Sequence, residues 1–166
     1  MIWRRLRIPG DISLANLHHI IQAAYGWDDD HLHQFHIYGK DYGLSYVGGI
    51  AFADNAREIF LDNFDFDVGD KFTYEYNFFV HHLVDIRIEN IQEKSSTTSV
   101  DCTKGNGIPG VSKHDEVEPT LNLLRALVNM DETTTVSDIR TLVDALNAVR
   151  FNRHHINQCL QAEIIK

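Results

Sequence analysis

The chain has 166 residues, the length of one domain, and its 24 acidic against 15 basic side chains give a formal charge of −9. No apolar run approaches the roughly 18 residues of a membrane span, and the basic first residues lack the apolar core of a signal peptide, so we expect a cytoplasmic protein. The acidic balance opposes nucleic-acid binding, whose affinity comes mainly from Lys and Arg against phosphate.

The first elements predicted are a strand and an amphipathic helix. Residues 2–8 alternate loosely between apolar and polar side chains, which indicates a strand. A helical period follows, with His18 at the margin of its apolar face. That face comprises Leu14, Leu17, Ile21, Ala24 and Tyr25. Asp11 or Ser13 is the predicted N-cap, and Gly26 is predicted to end the helix.

The middle of the chain predicts several strands. Residues 31–38 alternate with period two, residues 39–49 contain four glycines and favour a loop or bent hairpin, and residues 57–62 favour a short strand. Residues 71–78 and 83–90 alternate cleanly and follow one another, which predicts an antiparallel pair. Their connection holds no favoured two-residue turn, so we expect a distorted or longer corner there.

The remainder of the chain is predicted to be a long loop and then helices. Residues 94–119 are polar and rich in Gly and Ser, as is typical of a loop. Residues 120–166 carry helical stripes, and Asn152 is the predicted cap of a last short helix. We therefore treat residues 1–166 as one domain with a sheet-plus-helix core over residues 1–93.

The order strand, helix, strand favours the α+β class. It is typical of a β-grasp, or ubiquitin-like, core, in which a mixed or antiparallel sheet packs on one main helix. Additional C-terminal helices would extend that core.

The histidines at positions 31–36 are the strongest candidates for chemistry. Imidazoles bind zinc and other transition metals, but on a straight strand only His31 and His33 share a face. A site would need further ligands such as His81 or His82. Alternatively, Asp30 or the neighbouring Asp28 and Asp29 could turn back toward the imidazoles. The alternative is that these histidines are hydrogen-bonded, partly buried strand residues.

No catalytic set can be assembled from the remaining residues. No serine lies at a strand-to-helix elbow, and Cys102 and Cys159 have no flanking motif that would mark a nucleophile.

A long motif runs through the N-terminal block. It reads W-R-R, a proline turn, S-L-x-x-L-H-x-x-I-Q-x-A-x-G-W and then D-x-H-L-H-x-F. It is carried by Trp3, Arg4, Arg5, Pro9, Leu14, Leu17, His18, Ile21, Gln22, Ala24, Gly26, Trp27, His31, Leu32, His33 and Phe35. This motif resembles that of the plasmid Ri ORF-three-like family, whose members occur as passenger proteins of insertion elements.

The resemblance continues more faintly beyond the motif. The family's second hallmark, roughly Y-x-Y-D-F-G-D-x-W-x-H-x-I, survives as Tyr74, Tyr76, Phe78 and Ile86. The resemblance implies that the chain begins within what family members carry as a second strand, so we expect their first strand either to be missing here or to be omitted by a misassigned start. The resemblance implies little about activity.

Our first hypothesis is a non-enzymatic interaction module linked to mobile elements or plasmids. Its partner would be a protein, it would need no cofactor, and its binding patch would comprise Trp27, His31 and His33. The alternative is a metal-dependent enzyme that holds a divalent transition metal through His31 and His33. A third possibility is DNA binding through the basic cluster of Arg4, Arg5 and Arg7.

Overall fold

The structure is a computed structural model. It describes residues 1–45, 50–93, 99–107, 135, 137, 140 and 151–164. In chain order its elements are β1 (Trp3–Arg7), α1 (Leu14–Tyr25), β2 (His33–Ile37), β3 (Lys40–Tyr42), a 3₁₀ helix (Leu61–Phe64), β4 (Lys71–Tyr76), β5 (His82–Arg87), β6 (Asp101–Asn106) and α2 (Arg153–Ile164). No helix of these residues is long and apolar enough to cross a membrane.

The strands form two antiparallel sheets. One has four strands in the order β3-β2-β4-β5, and the other pairs β1 with β6. The α+β class predicted from the sequence is confirmed. The β-grasp arrangement stays a prediction, because β1 pairs with β6 and not with a strand of the larger sheet.

The ends of α1 follow the predicted caps. The Ser13 hydroxyl accepts a hydrogen bond from the backbone N–H of Asn16 at 3.2 Å, which satisfies one of the free donors of the first turn. Gly26 adopts φ 67° and donates its N–H to the carbonyl of Gln22, as left-handed glycines commonly do at helix ends.

α1 packs on two apolar cores. One face, including Leu17 and Ile21, contacts Phe35 and Tyr74 of the four-stranded sheet. The other face packs on β6 and α2 in a second cluster, formed by Ile20, Ala24, Val100, Cys102, Ile156 and Leu160. The prediction of a single apolar face was wrong because Ile20 and Ala24 serve a second core. His18, predicted at the margin, is fully buried.

A strand lies within the segment predicted as a long loop. β6 (Asp101–Asn106) pairs with β1, and Val100 and Cys102 bury their side chains beneath α1. The polar composition of residues 94–119 concealed this strand, because its stability comes from pairing across the fold. The rest of that loop beyond residue 107 and the helices predicted before residue 151 lie outside the described residues. The cap at Asn152 is confirmed, since its side-chain oxygen accepts the N–H of His155 at 3.1 Å.

Residues 57–62 do not form the predicted strand. Leu14 donates its N–H to Ile59, and Leu61 donates its N–H to Ile12, but only an isolated bridge results. The chain then turns into the 3₁₀ helix at Leu61–Phe64. The segment therefore tethers the start of α1 rather than extending a sheet.

The corner between β4 and β5 is longer than a tight turn, as predicted. Asn77 and His81 both have φ 55°, and the Asn77 side chain accepts hydrogen bonds from the N–H groups of Phe79 and Val80. The predicted hairpin after β2 is confirmed in β3, while residues 46–49 lie outside the described residues.

Replacing Gly26 by Ala should lower the free energy of unfolding by about 1 kcal/mol. A Cβ at this position meets no atom within 4 Å, so the cost comes from the positive φ alone. Chemical denaturation measures the change. Gly26→Asn serves as the control and should lose less, because Asn tolerates this conformation; equal losses would contradict the argument.

Candidate functional site

A polar cluster lies between α1 and the four-stranded sheet. His18 and Gln22 are one helical turn apart on α1 and share a face. Asp29 lies in the loop after the helix, His33 begins β2 and Tyr74 lies on β4. The antiparallel register of β2 and β4 places His33 and Tyr74 beneath that face of α1.

Four of these side chains close a ring of hydrogen bonds. The Asp29 backbone N–H donates to Gln22 Oε1 at 3.1 Å, and Gln22 Nε2 donates to Tyr74 Oη at 2.8 Å. Tyr74 Oη lies 2.7 Å from His18 Nδ1, and His18 Nε2 lies 2.5 Å from Asp29 Oδ1. Within the ring Asp29 has φ 55°, a left-handed conformation that Asp adopts more readily than most residues other than Gly.

The ring also determines where the His18 proton lies. A carboxylate can only accept, so His18 Nε2 carries the proton toward Asp29, and Nδ1 accepts from the Tyr74 hydroxyl. Burial lowers the pKa of His18, although the hydrogen bond to Asp29 opposes the shift. Burial raises the pKa of Tyr74. Both groups are therefore neutral near pH 7.

His33 stacks on His18 but makes no hydrogen bond through Nε2. The two ring centroids are 3.5 Å apart with an interplanar angle of 8°, and His33 is 4% exposed. Its buried Nε2 has no partner among the described residues. Burial lowers the pKa of His33 to about 3, and the nearby His18 and His19 add to the shift.

His19 brings a second imidazole to the Asp29 carboxylate. His19 Nδ1 lies 3.3 Å from Asp29 Oδ2, and both side chains are about two-fifths exposed, at 42% and 41%. Ligand atoms of His18, His19 and Asp29 all lie within 4.8 Å of one another. Two imidazoles and a carboxylate suit a transition metal and leave coordination positions open.

An aromatic layer adjoins this cluster. Trp27 stacks on Tyr76 and Tyr25, with centroids 5.2 and 4.9 Å away, and also contacts His82. The Tyr76 hydroxyl donates to Asp30 at 2.7 Å, and His31 Nδ1 lies 2.5 Å from the same oxygen. The hydrogen bonds from Tyr76 and His31 lower the pKa of Asp30. Burial, together with the bond to Asp30, raises the pKa of Tyr76 to about 12.

The predicted patch of Trp27, His31 and His33 is only partly assembled. Trp27 and His31 both contact Tyr76, but His33 is buried against His18, so it cannot meet a partner at the surface. The structure also does not join His31 and His33 in a ligand set within the described residues.

The other ligands considered for the histidine site lie elsewhere. His81 pairs with Glu75, and His82 stacks on Trp27 and Tyr76. The sequence reasoning missed His18 and His19 as ligands, and it considered Asp29 only as a carboxylate that could turn back toward His31 and His33. The helical period had placed the two histidines on opposite sides of α1, yet the loop carrying Asp29 folds back far enough to reach both.

The basic cluster near the N-terminus is engaged within the chain. Arg4 lies over the rings of Tyr25 and Phe151 and donates Nε–H to the Ala24 carbonyl at 3.0 Å. Arg5 pairs with Glu89 and Arg7 pairs with Asp101. Each of the three arginines therefore has a partner within the chain, and DNA binding through them stays a prediction.

The described elements define the class of this protein as mixed α+β, with two antiparallel sheets. The chain belongs to the family of plasmid pRiA4b ORF-3-like proteins, whose family model matches residues 1–157. It is 34% identical over 79 residues to "Uncharacterized protein y4hQ" of Sinorhizobium fredii, across 47% of this chain. That alignment spans only 41% of the relative's length.

A solved structure shares the fold. The crystal structure of MM3350, a protein of unknown function from Methanosarcina mazei Go1, has a TM-score of 0.59 to this chain at 22% identity. The match covers 92% of this chain and 88% of that one. The relatives have no described activity, so the function has to be argued from the site.

The buried His33 predicts that acid destabilises the fold. Between the ordinary histidine pKa of about 6.5 and its folded pKa of about 3, the unfolded chain binds a proton that folded His33 does not. The free energy of unfolding should therefore fall with decreasing pH, by up to about 1.4 kcal/mol per pH unit from this group.

Denaturation at several pH values in that window measures the slope. His33→Leu should make it shallower. His36→Leu is the matched control, since exposed His36 faces Asp41 on the other side of the same strand. An unchanged slope in His33→Leu would show that the group titrates normally.

Proposed function

We propose that this protein is a non-enzymatic binding module whose ligand is a divalent transition-metal ion. The ligands are His18 Nε2, His19 Nδ1 and a carboxylate oxygen of Asp29. The observation that carries the proposal is their mutual approach within 4.8 Å. The exposure of His19 and Asp29 supports access for an ion from solvent.

The surrounding network supports the first ligand. A metal on His18 Nε2 requires the imidazole proton on Nδ1, where Tyr74 Oη at 2.7 Å can accept it. Outer partners of this kind fix the orientation of metal-bound histidines. Gln22 holds the Asp29 backbone from the other side. Loading therefore moves one proton across the His18 ring. Because Asp29 Oδ1 lies 2.5 Å from His18 Nε2, the carboxylate has to move outward to admit the ion between the two atoms.

His33 strengthens the proposal through charge. Its neutral ring stacked on His18 adds no positive charge beside the ion, because its pKa of about 3 keeps it deprotonated. A protonated neighbour would repel a dication. The stack thus supplies a rigid, uncharged wall to the site.

The proposal includes a link to mobile elements, which rests on the family resemblance, and a cytoplasmic location, which rests on the composition.

A metal-dependent enzyme is the second candidate, and it would use the same three ligands rather than His31 and His33. Three protein ligands leave room for a bound water, which is the arrangement of catalytic zinc sites.

Zinc binding to protein purified without a histidine tag tests the proposal. The background should be Cys159→Ser, because Cys159 Sγ lies 3.8 Å from His155 Nε2 on α2 and could bind zinc independently. Calorimetric titration should show one zinc ion per chain. Asp29→Asn, which preserves the acceptor for His18 Nε2–H, and His19→Gln should each weaken binding at least about tenfold.

Two histidine controls locate the site. His36→Gln removes an exposed imidazole beside an acid, and His31→Gln removes one of the two residues of the earlier metal hypothesis. Both should leave zinc affinity unchanged. Loss of binding in His31→Gln but not in His19→Gln would move the site to His31. No saturable zinc binding would overturn the proposal.

A further inference from the structure

β5 is an edge strand of the four-stranded sheet as far as the described residues show. β4 covers one side of β5, and just beyond β5, Ile88 donates its N–H to the Asp70 carbonyl on that side at 2.9 Å. Backbone groups alternate in direction along a strand, so those of Leu83, Asp85 and Arg87 point away from β4. Across the described ranges, no strand pairs with this edge.

The side chains along this edge are exposed, and its charged side chains lack ion pairs among the described residues. Leu83 is 63% exposed, and Asp85 and Arg87 have no ion-pair partner among the described residues. Arg87 lies directly opposite Lys71 of β4, and like charges in that arrangement repel. The edge therefore has an acid and a base without an ion pair among the described residues, and an added strand could supply a partner for each.

We infer that β5 pairs antiparallel with β5 of a second copy of this chain, about a two-fold axis at Ile86. This register sets Asp85 opposite the partner's Arg87 and, by symmetry, Arg87 opposite the partner's Asp85. On the other face, Ile86 meets the partner's Ile86 and Val84 meets the partner's Ile88. Opposite charges and apolar side chains in such cross-strand positions stabilise a sheet.

The charges of Asp85 and Arg87 favour this register over the neighbouring registers. An axis at Asp85 would set two aspartates opposite each other, and an axis at Arg87 would do the same with two arginines. A slip of one residue would place exposed side chains on the apolar face. The axis at Ile86 keeps both faces and sets both Asp85 and Arg87 opposite a partner of opposite charge, so it brings an acid to the Arg87 that repels Lys71. An axis at Ile88 would keep the faces too, but it would set Arg87 opposite the partner's Glu89, which already pairs with Arg5.

The exposed apolar ends of the hairpin also match. Phe79, 93% exposed, and Val80 lie in the turn before β5, and exposed Ile91 follows its far end. Antiparallel pairing brings the turn of one copy beside the partner's Ile91. A two-fold interface of this kind uses the same patch on both copies. This inference does not depend on the metal site.

The mass in solution tests the pairing, by analytical ultracentrifugation over a concentration series. The wild-type chain should reach twice its 19.1 kDa monomer mass. Arg87→Glu should weaken association at least tenfold, because the two-fold axis then sets an acid opposite Asp85 at two positions of the interface. The same variant should keep or raise thermal stability, since Lys71 gains an acidic neighbour. Asp85→Arg combined with Arg87→Glu restores opposite charges and should restore the dimer.

A cross-link tests the register independently of stability. In the Cys159→Ser background, Ile86→Cys should form a disulfide-linked dimer on oxidation, since opposite residues at a non-hydrogen-bonded position lie about 4.5 Å apart at Cα. Val84→Cys is the matched control and should not link to itself. A wild-type monomer up to millimolar concentration would overturn the inference, as would a dimer that Arg87→Glu leaves intact.

Discussion

The burial of α1 between two apolar cores is the constraint on which the rest of the structure depends. Leu17 and Ile21 pack one face of the helix on the four-stranded sheet, while Ile20 and Ala24 pack another face on β6 and α2. A helix held on both sides has little freedom to rotate. Its polar residues His18 and Gln22 are consequently fixed against Tyr74, and buried polar groups in such a position must find partners.

That requirement explains the geometry of the loop after α1. Gly26 ends the helix in the left-handed conformation, and the chain then returns so that Asp29 meets both His18 and Gln22. Asp30 adds a second attachment through Tyr76. Tyr74 and Tyr76 lie two residues apart on β4 and therefore on one face of the sheet. Tyr76 binds Asp30 directly, whereas Tyr74 supports Asp29 through His18 and Gln22.

The sequence predicts local features here better than long-range ones. Ser13, Gly26 and Asn152 were identifiable as caps because capping chemistry acts over three or four residues. The alternation that predicted β4 and β5 is likewise local. β6 was not predicted, because its pairing with β1 joins residues about a hundred positions apart. Its own polar composition also gives no indication of burial. The site shows the same limit, since His19 and Asp29 meet only through the return of the loop.

The segment that resembles the family's second hallmark falls into two parts in the fold. The hydroxyls of Tyr74 and Tyr76 bind the His18 ring and Asp30. Phe79 and Val80 lie in the exposed turn that follows, and Asn77 supports that turn through its side chain at φ 55°. The tyrosines of β4 therefore orient the polar residues beneath α1. The turn instead shapes the surface beside β5, where apolar Phe79 and Val80 face solvent.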